Sequence, residues 1–116
     1  YKEERDMDLE EQIMNMIADG GEAKSRAMEA IQAAKRTQFE AAEEKMRECE
    51  EALTRAHQIQ TELLTSEAAE PETVTVSLLM VHAQDHLMNA ITTSDLAMEF
   101  IEMYKKMNTI LSGKEK

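Results

Sequence analysis

Aromatic residues are nearly missing from this chain. Phe39, Phe100, Tyr1 and Tyr104 are the whole set, and there is no Trp. Proline occurs once and glycine three times in 116 residues, which leaves few places for the backbone to turn. β-branched runs are scarce apart from Val74 to Val76, so composition argues against sheet and for long helices joined by few loops. Cys49 is the single cysteine; no internal disulfide can form, and a reducing compartment fits best. No apolar run approaches a membrane span, and the opening YKEERDMDLEE is charged, unlike a signal peptide, so a cytoplasmic protein is expected. Cationic patches are missing too. With 13 basic against 24 acidic residues the net charge is −11, and no basic stripe exists to neutralise nucleic-acid phosphates or an anionic membrane. An acidic chain would suit a basic protein partner, although solubility is the simpler reading.

Ala, Glu, Met, Gln and Lys dominate instead, all good helix formers. The length suits one domain spanning residues 1–116, and the pattern predicts three helices, at about 9–34, 37–64 and 74–111. Asp8 with Glu11 is an N-cap and acidic first turn for the first, whose apolar face includes Ile13, Ile17, Met28 and Ile31. Gly20-Gly21 either ends that helix or lets another helix approach closely; the apolar pattern resumes in phase at Ala27, which favours close approach. Thr37 to Glu40 reads as a capping box opening the second helix. Its seam is Phe39, Ala42, Met46, Cys49, Leu53 and Ala56, then Gln60 as a polar break, then Leu63. Residues 65–73, with Pro71, form the predicted loop.

The third helix is the informative one. One stripe is Val76, Met80, Ala83, Leu87, Ala90, Ser94, Ala97, Ile101 and Tyr104. A second stripe beside it is apolar below, at Leu96, Phe100, Met103, Met107 and Ile110, and polar above, at His82, His86 and Asn89. Leu78, Val81 and Met88 are apolar on yet another side. Two other helices cannot cover so much apolar circumference, which implies oligomerisation, as a trimer or tetramer of helical hairpins.

His82, Asp85 and His86 are spaced three and four apart and so share one helical face amid apolar residues, where polar groups cost free energy unless paired or used. Three readings compete. The groups could form a polar layer fixing helix register in a non-enzymatic oligomeric adaptor. They could bind zinc, since H-x-x-D-H echoes an inverted zinc-protease pattern, but the Glu and a third ligand are lacking. Or one imidazole could accept a phosphoryl group and hand it on. Imidazole titrates near neutrality and presents a neutral nucleophilic nitrogen, with its second nitrogen available to a hydrogen bond. His57 reads as a packed or capping residue, Cys49 as a small buried hydrophobe, the ten methionines as mostly core filler, and Glu40, Glu43, Glu44, Glu48 and Glu51 as solvated surface.

The stretch Val76 to Met88, VSLLMVHAQDHLM, resembles the active-site helix of the lactose/cellobiose-type (N,N'-diacetylchitobiose included) enzyme IIA components of the bacterial sugar phosphotransferase system. Ala56-His57-x-x-Gln60-Thr61 is similar to the family's second helix, and Gly21-x-Ala23 with the Ala-rich stretch after it is similar to the first. The resemblance implies an all-α fold, a three-helix antiparallel bundle per subunit assembling as a homotrimer whose C-terminal helices form a parallel coiled coil. It implies that His82 takes phosphoryl from phospho-HPr and passes it to a cysteine of the cognate IIB component, which phosphorylates a β-linked disaccharide (cellobiose, lactose or diacetylchitobiose) entering through the membrane IIC component. It implies that Asp85, from three subunits together, binds one divalent ion, usually magnesium, on the threefold axis. Reaction through Nε2 of His82 is expected, with His86 and Gln84 as candidate supports of the active site.

Overall fold

The computed structural model describes residues 2–72 and 74–113, with side chains from residue 8 onward. Residue 73, the last of the predicted loop, and residues 1 and 114–116 lie outside it. Three helices, α1 (Lys2–Lys35), α2 (Phe39–Ala69) and α3 (Leu78–Leu111), make up the fold, and among the described residues there is no strand. None of the helices is long and apolar enough to cross a membrane. The bundle is a rod of 66 × 20 × 19 Å.

Ion pairs fix the directions. Arg55 of α2 reaches Asp19 (3.2 Å) and Glu22 (2.5 Å) of α1, and Lys45 reaches Glu29 (3.7 Å), so α1 and α2 are antiparallel. Lys105 of α3 meets Glu43 of α2 at 2.9 Å and Gln84 meets Gln60 at 2.7 Å, which together set α3 antiparallel to α2 and alongside α1 in the same direction. α1 is the hub: it packs extensively on both partners, whereas α2 and α3 touch along a narrower line.

Small side chains make this possible. Ala23, Ala27, Ala30 and Ala34 of α1 are buried against Ala42 and Ala52 of α2 and Ala90 and Ala97 of α3. At the other end Ile13, Met16, Leu63, Met80 and Leu87 provide the bulk. The predicted α3 stripe from Met80 to Ile101 is buried throughout, with Tyr104 half-buried, but Val76 lies before the helix and is 76% exposed. On α1, Ile13 is buried and Ile17 and Ile31 half-buried, whereas Met28 is exposed, because the alanines occupy the inward face that it was expected to share. The methionines divide likewise. Met16, Met46 and Met80 are core; Met14, Met28, Met88, Met98, Met103 and Met107 are on the surface, so the reading of methionine as mostly filler is corrected.

The helix ends depart from the sequence reading for identifiable reasons. α1 already runs through Asp8, because residues 2–7 contain no breaker, so Asp8 is not an N-cap. The capping box at Thr37 does not form. Instead Thr37 adopts φ 60°, its N–H donates to the Ala34 carbonyl and that of Gln38 to the Ala33 carbonyl, which closes α1 with a Schellman turn. α2 therefore starts at Phe39 with Gln38 as an N-cap that makes no side-chain capping bond. A β-branched residue in the left-handed region is strained. Thr37→Gly is expected to raise stability by about 1 kcal/mol, the relief of strain outweighing glycine's larger unfolded-state entropy, and thermal unfolding checks it.

α2 continues to Ala69, five residues beyond the expected end, since Glu67-Ala68-Ala69 favour helix and Pro71 alone stops it, with Glu70 extended ahead of the ring. α3 begins later than expected, at Leu78. The β-branched run Val74 to Val76 remains outside it, and Ser77 is the N-cap, its Oγ accepting from the Met80 N–H at 3.1 Å. Gly20 and Gly21 do not interrupt α1, in line with the close-approach reading.

Candidate functional site

The Ser77 cap starts α3 just ahead of the polar cluster, so residues 82–86 lie in its second and third turns, held by regular helix on either side. His82 is exposed and His86 half-buried. Their rings meet edge to face, centroids 4.5 Å apart and planes at 79°, with Nε2 of one 3.1 Å from Nε2 of the other. Two imidazole nitrogens in such contact hold one proton between them, one donating and one accepting. With His86 donating, the single in-plane lone pair of His82 Nε2 accepts that bond and becomes nucleophilic once the bond is released.

Asp85 is not brought into that pair. It is exposed, and among the described residues it makes no hydrogen bond or ion pair with either ring. Its surroundings on α3 are the exposed apolar residues Leu78, Val81 and Met88. Gln84 points the other way, toward α2, where it accepts from Gln60 Nε2 at 2.7 Å and directs its own amide at Met80 Sδ, 3.9 Å away. The polar break at Gln60 in the α2 seam is thus explained by a partner on the turn that carries the two histidines. Sequence reading missed that pairing, although two glutamines interrupting facing apolar stripes were the available signal.

The alternatives fare differently. His82 is exposed in the single chain, so a polar layer would need a second copy to bury it. Among the described residues no three His, Cys, Asp or Glu side chains are grouped to hold a metal within one chain, which leaves the zinc reading without ligands. His57 is exposed on α2 rather than packed or capping. Cys49 is fully buried; burial pushes its thiol up, and a hydrogen bond with Ser94 offsets this only in part, so it remains a protonated core group. Of the acidic face, Glu43 is held below the usual carboxylate range chiefly by its hydrogen bond to Lys105, and Glu44 is paired with Arg47.

The lower half of α3 keeps its apolar side uncovered. Leu96, Phe100, Met103, Met107 and Ile110 are 41–58% exposed, and Leu78, Val81 and Met88 nearer the start of the helix are exposed as well. A stripe of this extent is unusual for a surface that meets only water.

The class that the fold defines is a small all-α bundle of three helices, with a pair of histidines in contact on the last of them. Residues 11–105 match the family described as the lactose/cellobiose-specific IIA subunit of the phosphotransferase system, and the chain belongs to that family. It is 49% identical over 100 residues to the lichenan-specific phosphotransferase enzyme IIA component of Bacillus subtilis, covering 86% of this chain and 90% of the relative. The structure is similar to the cellobiose-specific enzyme IIA of Bacillus anthracis, with a TM-score of 0.84, 46% identity, and coverage of 87% and 92%. It is also similar, with a TM-score of 0.76, 40% identity, and coverage of 86% and 96%, to a chain in the IIA(chitobiose)–HPr complex of the N,N'-diacetylchitobiose branch of the Escherichia coli phosphotransferase system. IIA components of this system are phosphotransferase carriers, so the expected family and the all-α three-helix fold both hold.

Proposed function

We propose that this chain carries phosphoryl on His82 between HPr and a cysteine of its cognate IIB component, in the cytoplasm, during uptake of a β-linked disaccharide through a membrane IIC component. The observation that carries the reading is the exposed His82 ring with its Nε2 faced by Nε2 of His86 at 3.1 Å. An HPr complex among the similar structures supports the donor.

In the step itself, the lone pair on His82 Nε2 attacks phosphorus in line as the N–P bond of phospho-HPr breaks. The electron pair of that bond returns to the HPr imidazole, which takes up a proton, and the proton on His82 Nδ1 leaves to solvent. His86 Nε2–H moves its hydrogen bond from the His82 nitrogen to a phosphoryl oxygen, and so stabilises charge where it appears. Such transfer depends mainly on positioning and electrostatics. Transfer to the IIB thiolate repeats the displacement with His82 as leaving group.

The chain works as a homotrimer in this reading, with the exposed side of α3 forming a parallel coiled coil. Asp85 then converges with its two copies. One carboxylate is too few for a hard divalent cation; three with bound waters suit magnesium, and the ion would neutralise their repulsion. Removing divalent metal is expected to weaken the wild-type assembly in sedimentation, while Asp85→Ala makes assembly indifferent to chelator and leaves phosphorylation of His82 intact. An assembly that ignores chelator in the wild type would remove the metal from the scheme.

Incubation with phosphoenolpyruvate, enzyme I and HPr tests the carrier reading, with one acid-labile phosphate per chain as the expected product. A chain left unlabelled would instead be a helical adaptor.

A further inference from the structure

We propose that Gly20 is a positioning residue for phosphoryl transfer, acting through the backbone of His86; the inference rests on the carrier reading above. α1 is continuous and buried at Gly20. A Cβ at this position would lie 3.3 Å from both the carbonyl carbon and oxygen of His86, and 3.4 Å from its Cβ. The two nearest are backbone atoms of a regular helix and cannot swing aside as the end of a side chain does. Adding the methyl would part the helices by a few tenths of an ångström at the turn whose imidazoles meet at 3.1 Å. Both rings are carried by α3, so the effect comes from local distortion of the turn at His86, which tilts one ring against the other, and hydrogen bonds weaken steeply with angle.

Gly21 is the contrast. A Cβ there meets nothing within 4 Å. Both glycines weaken the helix relative to alanine, so each calls for a reason, and only position 20 has one in the packing. On the opposite flank the Gln60–Gln84 hydrogen bond, 2.7 Å long, holds the same turn against α2. That bond opposes movement of α3 away from α2, so part of a push from α1 falls on the turn at residues 84–86.

Gly20→Ala and Gly21→Ala in the full chain separate position from propensity, since both gain the same helix preference. At one fixed pH, the ring 15N signals of His82 and His86 in the unphosphorylated protein are expected to shift in Gly20→Ala and to stay at wild-type positions in Gly21→Ala. Phosphorylation by phospho-HPr should lose about tenfold in maximal rate in Gly20→Ala alone, with KM unchanged and a thermal midpoint no lower than wild type. Unshifted ring signals, or equal losses in both variants, overturn the proposal. A Gly20→Ala chain that unfolds overturns it as well, because the contact would then serve the fold and not the reaction. A wild type that accepts no phosphoryl removes the carrier reading and the kinetic role with it, while the ring signals still decide whether Gly20 sets the histidine pair.

Discussion

His82→Gln is expected to take up no phosphoryl from phospho-HPr beyond a protein-free control, while keeping the helical content and assembly of the wild type. The side chain is exposed and contributes nothing to the buried stripe, so its loss touches chemistry alone. His86→Gln should still be labelled, because the attacking nitrogen remains, but about 100-fold more slowly, the usual cost of losing one donor aimed at developing charge. The two variants together assign the roles. Labelling of His82→Gln at the wild-type rate would move the acceptor elsewhere, and a His86→Gln chain as fast as wild type would reduce His86 to packing. Rapid quench with acid-labile phosphate counting reads both.

The second large effect concerns assembly. Leu96→Glu combined with Met103→Glu is expected to convert the protein to a folded monomer in sedimentation. Leu96 is 52% and Met103 47% exposed in the single chain, and both lie on the uncovered side of α3. Full burial of such a side chain is worth roughly 1.5–3 kcal/mol, repeated in each copy, and a carboxylate in its place would have to be desolvated beside its symmetry mates. Glu51, exposed on α2 and away from this stripe, offers the control position. An unchanged sedimentation coefficient in the double variant would mean that the copies meet through another face, and a wild-type monomer would contradict the uncovered stripe's purpose altogether.

Much of this architecture was legible because helix periodicity is a strong signal. The α3 stripe from Met80 to Ile101, the continuity of α1 through Gly20-Gly21 and the meeting of His82 with His86 one turn on all follow from residues three and four apart. Helix ends were less legible, since they depend on how a few backbone groups are satisfied. Thr37 looked like a cap by residue type yet serves as the left-handed residue of a Schellman turn, and Ser77 passed unnoticed behind a β-branched run. Spacing also overstated the cluster. Asp85 shares a side of the helix with the histidines, but its carboxylate bonds to neither, because neighbouring positions on a helix still diverge by tens of degrees. Tertiary pairs such as Gln60 with Gln84, or Gly20 with His86, arise only once the helices are docked.

The alanine seam between the helices has a mechanical consequence. Alanine has no rotamers to freeze, so this interior assembles at little side-chain entropy cost. By the same token it has no rotamers with which to yield. Where Ala23, Ala27, Ala90 and Ala97 meet, and above all where Gly20 lies on His86, main chain rests almost directly on main chain. A shift imposed on one helix cannot be absorbed by flexing side chains and passes to the next, so the turn that carries the histidine pair behaves as a rigid mount whose tolerance is measured in tenths of an ångström.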